Sequence, residues 1–266
     1  MDVTPLPLAV VTGGSSGIGL ELVREFAENG FEVLSCAEDE TGPQIATQTL
    51  VADGHPVRSL TADLATPEGV ERLVAEIGGR PVDALALNAG VANGGPFLDT
   101  PLEDDLRVIS LDVVAVVHLA KRLLPRMVDR GAGRVLVTSS VAARMPGPYY
   151  ATYAASKAFV QSFTEAVRHE LKDTGVTLTA LLPGPTDTDF FEASHMEDTR
   201  VAEQKKDDPA KVAHEGFEAL MAGKDQVSTQ SLKAKLQTVM GAVLPDTAKS
   251  AVHAKMTEPR HSDQEA

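Results

Sequence analysis

Leu8-Ala-Val-Val-Thr12-Gly-Gly-Ser-Ser-Gly-Ile-Gly19 is the stretch from which the fold of this chain is read. Leu8–Thr12 is a continuous apolar run, the pattern of a strand buried on both faces. The glycines after it permit close backbone approach, and Gly17–Asn29 then repeats apolar positions at helical spacing. Strand, glycine-rich turn and helix in that order can seat a dinucleotide's pyrophosphate, which needs bare N–H groups at a helix N-terminus. The spacing Gly13-x-x-x-Gly17-x-Gly19 departs from Gly-x-Gly-x-x-Gly but serves the same physics. A glycine-rich turn is often no more than a turn; its setting here favours the cofactor reading.

Outward from this unit the alternation continues. Phe31–Ala37, Val57–Thr61, Ala84–Asn88, Arg134–Ser139 and Val176–Leu182 read as buried strands. Helical patterns lie between them at Gln44–Asp53, Pro67–Ile77, Leu102–Arg130 and Thr152–Asp173, the last ending in Asp173-Thr-Gly175 as a stop signal. This spacing predicts βαβ units with right-handed crossovers. The expected fold is α/β: one doubly wound, mostly parallel sheet with helices on both faces, in a single domain over residues 1–257.

Composition narrows the function classes. The chain has 266 residues, 43% hydrophobic and 23% charged, with a formal net charge of −14. That charge argues against nucleic-acid and anionic-membrane partners, which reward clustered Lys and Arg. One cysteine, Cys36, excludes an intrachain disulfide, and its apolar setting reads as a buried structural thiol. No run is apolar enough to span a bilayer and no targeting segment is visible, so a cytoplasmic location is expected. His118 and His169 lack partners at metal-ligand spacing and read as structural, with no metal expected.

Tyr153-Ala-Ala-Ser-Lys157, with Ser140 upstream, carries the chemistry. Residues four apart on a helix share a face, so the Lys157 ammonium would stand beside the Tyr153 phenol and lower its pKa from the ordinary value of about 10. Such a phenol could pass a proton near neutral pH, with Ser140 holding a substrate oxygen beside it.

Taken together, the motifs resemble the short-chain dehydrogenase/reductase family of single-domain, Rossmann-like type, over about residues 8–220. Thr12-Gly-x-x-x-Gly-x-Gly19 matches its cofactor loop, Asn88-Ala-Gly90 the motif ending its fourth strand, and Ser140 stands at the family's spacing from Tyr153-x-x-x-Lys157. Pro183-Gly184 with Thr188 matches its nicotinamide loop. The resemblance implies an NAD(P)-dependent oxidoreductase moving a hydride between the nicotinamide and a carbonyl or secondary alcohol carbon. Tyr153 would be general acid or base. Lys157 would hold the ribose hydroxyls and tune Tyr153, and Ser140 would orient the substrate oxygen. Cofactor contacts are implied for Gly13, Ser15, Ser16, Gly17, Ile18 and Gly19, for Asp63 and Leu64 at the adenine, and for Asn88, Ala89 and Gly90. Tyr153, Lys157, Pro183, Gly184, Thr186 and Thr188 complete the set. A homodimer or homotetramer built through the two long helices is implied as well.

Two departures from the family pattern stand out. Asp112 occupies the place of an asparagine that anchors a proton-relaying water chain in the family. It either retunes Lys157 and Tyr153 or is a tolerated polar residue on a buried helix. Glu38, after the second strand, stands where NADP-using members often carry arginine. A carboxylate accepts from a ribose hydroxyl and repels a 2′-phosphate, so NAD is favoured over NADP unless a distant base such as Arg58 intervenes.

Residues 185–206, with Phe190, Phe191, His195 and Met196, fall where the family has a substrate lid and hint at a hydrophobic substrate. Leu232, Leu236, Val239, Met240 and Val243, then Ala248, Val252 and Met256, recur at helical spacing, predicting C-terminal helices over 230–257. The polar stretch 258–266 reads as a disordered tail. Two alternatives to the enzyme are a cofactor-binding or redox-sensing module with a decayed site, marked by Asp112, and a sugar-nucleotide enzyme. Retention of Ser140, Tyr153 and Lys157 together weighs against the first, and the short C-terminal part against the second.

Overall fold

A computed structural model of the chain describes residues 5–39, 42–188, 190–194, 196, 198–203, 206–229, 254 and 256–258. The element order is β1 (Leu8–Thr12), α1 (Gly17–Glu28), β2 (Glu32–Ala37), α2 (Gly42–Ala52), β3 (Val57–Thr61), α3 (Pro67–Ile77), β4 (Ala84–Leu87) and α4 (Leu102–Ile109). A π-helical turn (Ser110–Val114) joins α4 to α5 (Ala115–Arg130), followed by β5 (Gly133–Thr138) and a 3₁₀ turn (Val141–Arg144). Then come α6 (Ala151–Glu170), β6 (Val176–Leu182), α7 (Phe190–Ala193), α8 (Pro209–Met221) and β7 (Gln226–Ser228).

The sheet is parallel throughout, in the order β3-β2-β1-β4-β5-β6-β7. Winding reverses between β1, whose Val10 pairs with Leu34 of β2, and β4, whose Leu85 pairs with Val10 on the other side. Such a switch point leaves a crevice at the carboxyl ends of the strands, where ligands bind in open α/β sheets. Both sheet faces are covered. Phe26, Ala27, Leu220 and Phe217 from α1 and α8 pack on one, and Leu73, Ile77, Leu119, Leu123 and Val160 from α3, α5 and α6 on the other. Phe26 meets Phe31 and Phe217 edge-on, both at 5.2 Å. Cys36 lies buried in β2, where loss of solvation pushes its thiol up to about 12, in keeping with a structural thiol.

Local chemistry sets the helix ends. The Thr66 hydroxyl accepts from the Gly69 N–H at 3.0 Å and Pro67 opens α3. Asp208 caps Ala210 at 2.9 Å with Pro209 opening α8 in the same way.

Three expectations change, and a fourth goes untested. The helix read as Leu102–Arg130 contains the π turn around Asp112. The helix carrying Tyr153 stops at Glu170, and Gly175 instead packs against Gly131, where a Cβ would stand 2.2 Å from the Gly131 carbonyl oxygen. α8 and β7 are additional elements. The expected helices over 230–257, with Leu232 through Val252, lie outside the described residues except for Ala254, Met256 and Thr257, which are helical.

Candidate active site

The strands deliver their carboxyl ends to one edge, and nearly every site residue proposed from sequence follows one of them. The loop Gly13–Gly19 leaves β1, Glu38 follows β2, Asp63 and the buried Leu64 follow β3, and Asn88–Gly90 follow β4. Ser140 follows β5 and Pro183–Thr188 follow β6.

The glycine loop fits a pyrophosphate on its own geometry. Gly13 N–H donates to the Cys36 carbonyl at 2.7 Å, tying the loop to β2. A Cβ on Gly19 would stand 1.8 Å from the Gly13 carbonyl oxygen, so only glycine lets the first turn of α1 fold back on the loop. Ser16 caps α1 without a side-chain hydrogen bond and no acidic residue occupies the first turn, leaving that turn's N–H groups for an anion. Thr188 faces the loop across the crevice, its methyl 2.7 Å from where a Gly17 Cβ would stand. Gly19→Ala is expected to weaken cofactor binding at least about ten-fold and to destabilise the fold by about 2 kcal/mol, measurable by cofactor titration and denaturant unfolding.

Asn88 serves the loop from within. Its side-chain amide donates to the Thr12 carbonyl at 3.2 Å and accepts from the Thr138 hydroxyl at 3.0 Å. The Thr12 hydroxyl in turn accepts from the N–H groups of Asn88 (2.9 Å) and Ala89 (3.0 Å). These bonds stitch β1, β4 and β5 together where the loop begins.

Ser140, Tyr153 and Lys157 converge. Ser140 is buried, caps the 3₁₀ turn by accepting from Ala142 N–H at 3.1 Å, and lies close enough to the Tyr153 phenol to pull its pKa down. The Lys157 ammonium lies 5.5 Å from the centre of the Tyr153 ring. Behind it, Asp112 is fully buried and pairs with Lys157 at 3.0 Å. Asp112 also accepts from Val91 N–H at 2.9 Å and the Ser156 hydroxyl at 3.3 Å. Lys157 further donates to the Thr138 carbonyl at 3.4 Å. Gly90 makes room for this pair: a Cβ there would stand 2.9 Å from the Lys157 Nζ and 3.2 Å from Asp112 Oδ1. Asp112 is therefore wired directly to the lysine, and its π turn is of a kind frequent at functional sites.

The electrostatics correct one expectation. Burial pushes the Tyr153 phenol above its ordinary pKa; Lys157 and the Ser140 hydrogen bond pull it down, Asp112 pushes it up, and burial prevails. Burial opposes the Lys157 ammonium, but Asp112 and then Tyr153 more than offset this and hold it charged. Burial raises the Asp112 carboxyl against the pull of Lys157, Val91 N–H and Ser156. Tyr153 is thus the neutral phenol at neutral pH.

Above Tyr153 stands an apolar wall. Phe190 lies 5.4 Å and Tyr150 6.0 Å from its ring, and Phe191, Met196, Ala142 and Ala154 close the cluster. Phe190, Phe191 and Met196 of the expected lid share this cluster with the Tyr153 ring, His195 lying outside the described residues. Sequence reading missed Tyr150, Val91 and Ser156, and also Arg107, which bridges Glu38 and Asp63. It carries no motif; five places before Asp112, it reads as an ordinary surface arginine. Arg58, the base considered for a phosphate, is tied to Glu32 at 3.3 Å and Glu76 at 2.6 Å at the opposite end of its strand.

The short chain dehydrogenase profile matches residues 7–199. The chain belongs to the short-chain dehydrogenase family. It is 35% identical over 186 residues to a short chain dehydrogenase of Pseudocercospora fijiensis, a match covering 68% of this chain and 60% of that one. A short-chain dehydrogenase/reductase from Burkholderia phymatum in complex with NAD superposes with a TM-score of 0.80 at 26% identity, covering 90% of this chain and 94% of the other. A variant of actinorhodin polyketide ketoreductase with NADPH superposes with a TM-score of 0.75 at 29% identity, covering 84% and 95%. Solved short-chain dehydrogenases thus hold either nicotinamide dinucleotide, and the crevice here has the loop to receive one. Among the described residues no helix is long and apolar enough to cross a membrane.

Proposed function

We propose that this short-chain dehydrogenase reduces a carbonyl compound to an alcohol with NADH, Tyr153 donating the proton. The observation that carries the reading is the convergence of Ser140, Tyr153 and Lys157 at the mouth of a glycine-loop crevice. A bound nicotinamide supplies the hydride. Ser140 orients the carbonyl oxygen, and Tyr153, held as the neutral phenol, gives it a proton. Lys157, kept charged by Asp112, stabilises the phenolate left behind. The wall of Tyr150, Phe190 and Phe191 excludes water and suits a hydrophobic ketone. Cofactor contacts fall to Gly13, Ser15, Ser16, Gly17, Ile18 and Gly19, to Asp63 and Leu64, to Ala89 and Gly90, and to Pro183, Gly184, Thr186 and Thr188. Asn88 supports them.

Because reduction needs the protonated phenol and oxidation the phenolate, oxidation is expected to accelerate as pH rises while reduction does not. Paired pH–rate curves would reveal this. NAD is favoured because Glu38 accepts from a ribose hydroxyl and repels a 2′-phosphate. The KM for NADPH is expected to exceed that for NADH by at least about ten-fold, equivalent to about 1.4 kcal/mol. Following nicotinamide absorbance with ketones, aldehydes, 3-oxoacyl thioesters and secondary alcohols, each with both cofactors, tests the reading; no turnover with any class would sink it.

Leu102, Leu106 and Ile109 on α4, Val114 in the π turn and Phe159 on α6 are exposed apolar residues. They support a homodimer or homotetramer formed through these helices, to be measured by light scattering.

A further inference from the structure

Where β2 and β3 end, a three-member charge cluster closes the crevice, outside the machinery that moves the proton. Arg107, on α4, donates through Nη2 to Glu38. The same guanidinium donates to Asp63, Nη1 to Oδ2 at 3.3 Å and Nη2 to Oδ1 at 3.4 Å. Helix, β2 loop and β3 loop are thus clasped by one side chain. Glu38 is the outermost member: its side chain is 60% exposed, against 34% for Asp63 and 36% for Arg107.

This arrangement decides what the 2′ position of a dinucleotide meets. The inference rests on the cofactor reading above, in which Glu38 lies at the ribose and Asp63 at the adenine. A carboxylate held by a guanidinium keeps a fixed direction and leaves lone pairs for ribose hydroxyls. Two carboxylates around one guanidinium leave the cluster net negative, which repels a 2′-phosphate. Arginine is also the side chain best shaped to grip a phosphate, with two parallel N–H donors. Removing the Glu38 charge would release one side of Arg107 at the same spot.

We propose that Arg107 is the specificity-determining residue of the adenosine site: pinned by Glu38 it holds that carboxylate for the ribose diol, and freed from Glu38 it grips a 2′-phosphate. The preference for NAD would then lie in the pair, because the same guanidinium serves either cofactor according to its neighbour.

Binding of NADH and NADPH to the full chain, measured by calorimetry without substrate, tests this with the parent, Glu38→Gln, Arg107→Gln and the double variant. Glu38→Gln is expected to tighten NADPH binding about ten-fold or more, and the double variant to lose that gain. Arg107→Gln alone is expected to weaken NADH several-fold. A gain for NADPH that survives in the double variant, or four proteins with the same pair of dissociation constants, would overturn the assignment of Arg107 and leave the cofactor reading standing. A parent that binds neither dinucleotide would overturn both.

Discussion

Tyr153→Phe is expected to lower kcat about a thousand-fold while NADH still binds with nearly the parent's affinity. Phe keeps the ring that packs against Phe190 and Tyr150, so the apolar wall survives. What disappears is the hydroxyl beside Ser140 that can donate a proton. Positioned general acids contribute about 10²–10⁴-fold, and that is the contribution the variant gives up. The glycine loop and the Glu38 end of the crevice are untouched, which is why binding and turnover should separate. Stopped-flow turnover beside NADH fluorescence titration checks both halves. Turnover at the parent rate would mean that Tyr153 transfers no proton; a parent that binds NADH and turns over no substrate would favour a cofactor-binding module over an enzyme.

Asp112 carries the second large effect, on two different readouts. Asp112→Leu would strand the buried Lys157 ammonium without its 3.0 Å partner. Removing one member of a buried pair costs about 3–5 kcal/mol, so denaturant unfolding should show a loss of that order. Asp112→Asn keeps the shape and leaves an acceptor for Val91 N–H, so the fold should survive. Its effect should appear in the pH profile. Asp112 pushes the Tyr153 phenol up, so neutralising it lets the phenol ionise at lower pH. The sign follows: the pH at which reduction fails and the pH at which oxidation begins should both fall. Curves for Asp112→Asn superimposable on the parent's would remove Asp112 from the relay and leave it a tolerated buried polar residue.

How far the residues themselves foretold this arrangement depends on whether the signal is local. The strands Leu8–Thr12, Val57–Thr61 and Val176–Leu182 and the helix Pro67–Ile77 have the bounds read from sequence, because short β-branched and apolar segments between turn residues and the Thr66–Pro67 cap are local signals. β7, three half-exposed or exposed residues, is too short to show a period. α8 carries Gly216 within its pattern, a glycine whose place is explained only by Leu181 packing 3.2 Å from where its Cβ would stand. The site divides the same way. Ser140, Tyr153 and Lys157 were legible because two share a helix face and the third sits at a strand end. The direction of the Tyr153 pKa was not, since spacing reveals the ammonium but not the rings that bury the phenol or the charge of Asp112. Arg107 was beyond reach for a like reason: its partners lie 69 and 44 residues away in the chain, and only the doubly wound sheet brings their loops beside α4. Asp112 departs from the family pattern in the sequence itself, but its direct bond to Lys157 is visible only in the fold, where the π turn and α6 meet.

Transfer of deuterium from NADH labelled at nicotinamide C4 tests hydride transfer at this crevice most directly. The label should appear on the carbinol carbon of the alcohol formed from a ketone that the protein turns over, read by mass spectrometry and proton NMR. Product carrying solvent hydrogen at that carbon, with the label retained in the dinucleotide, would contradict it.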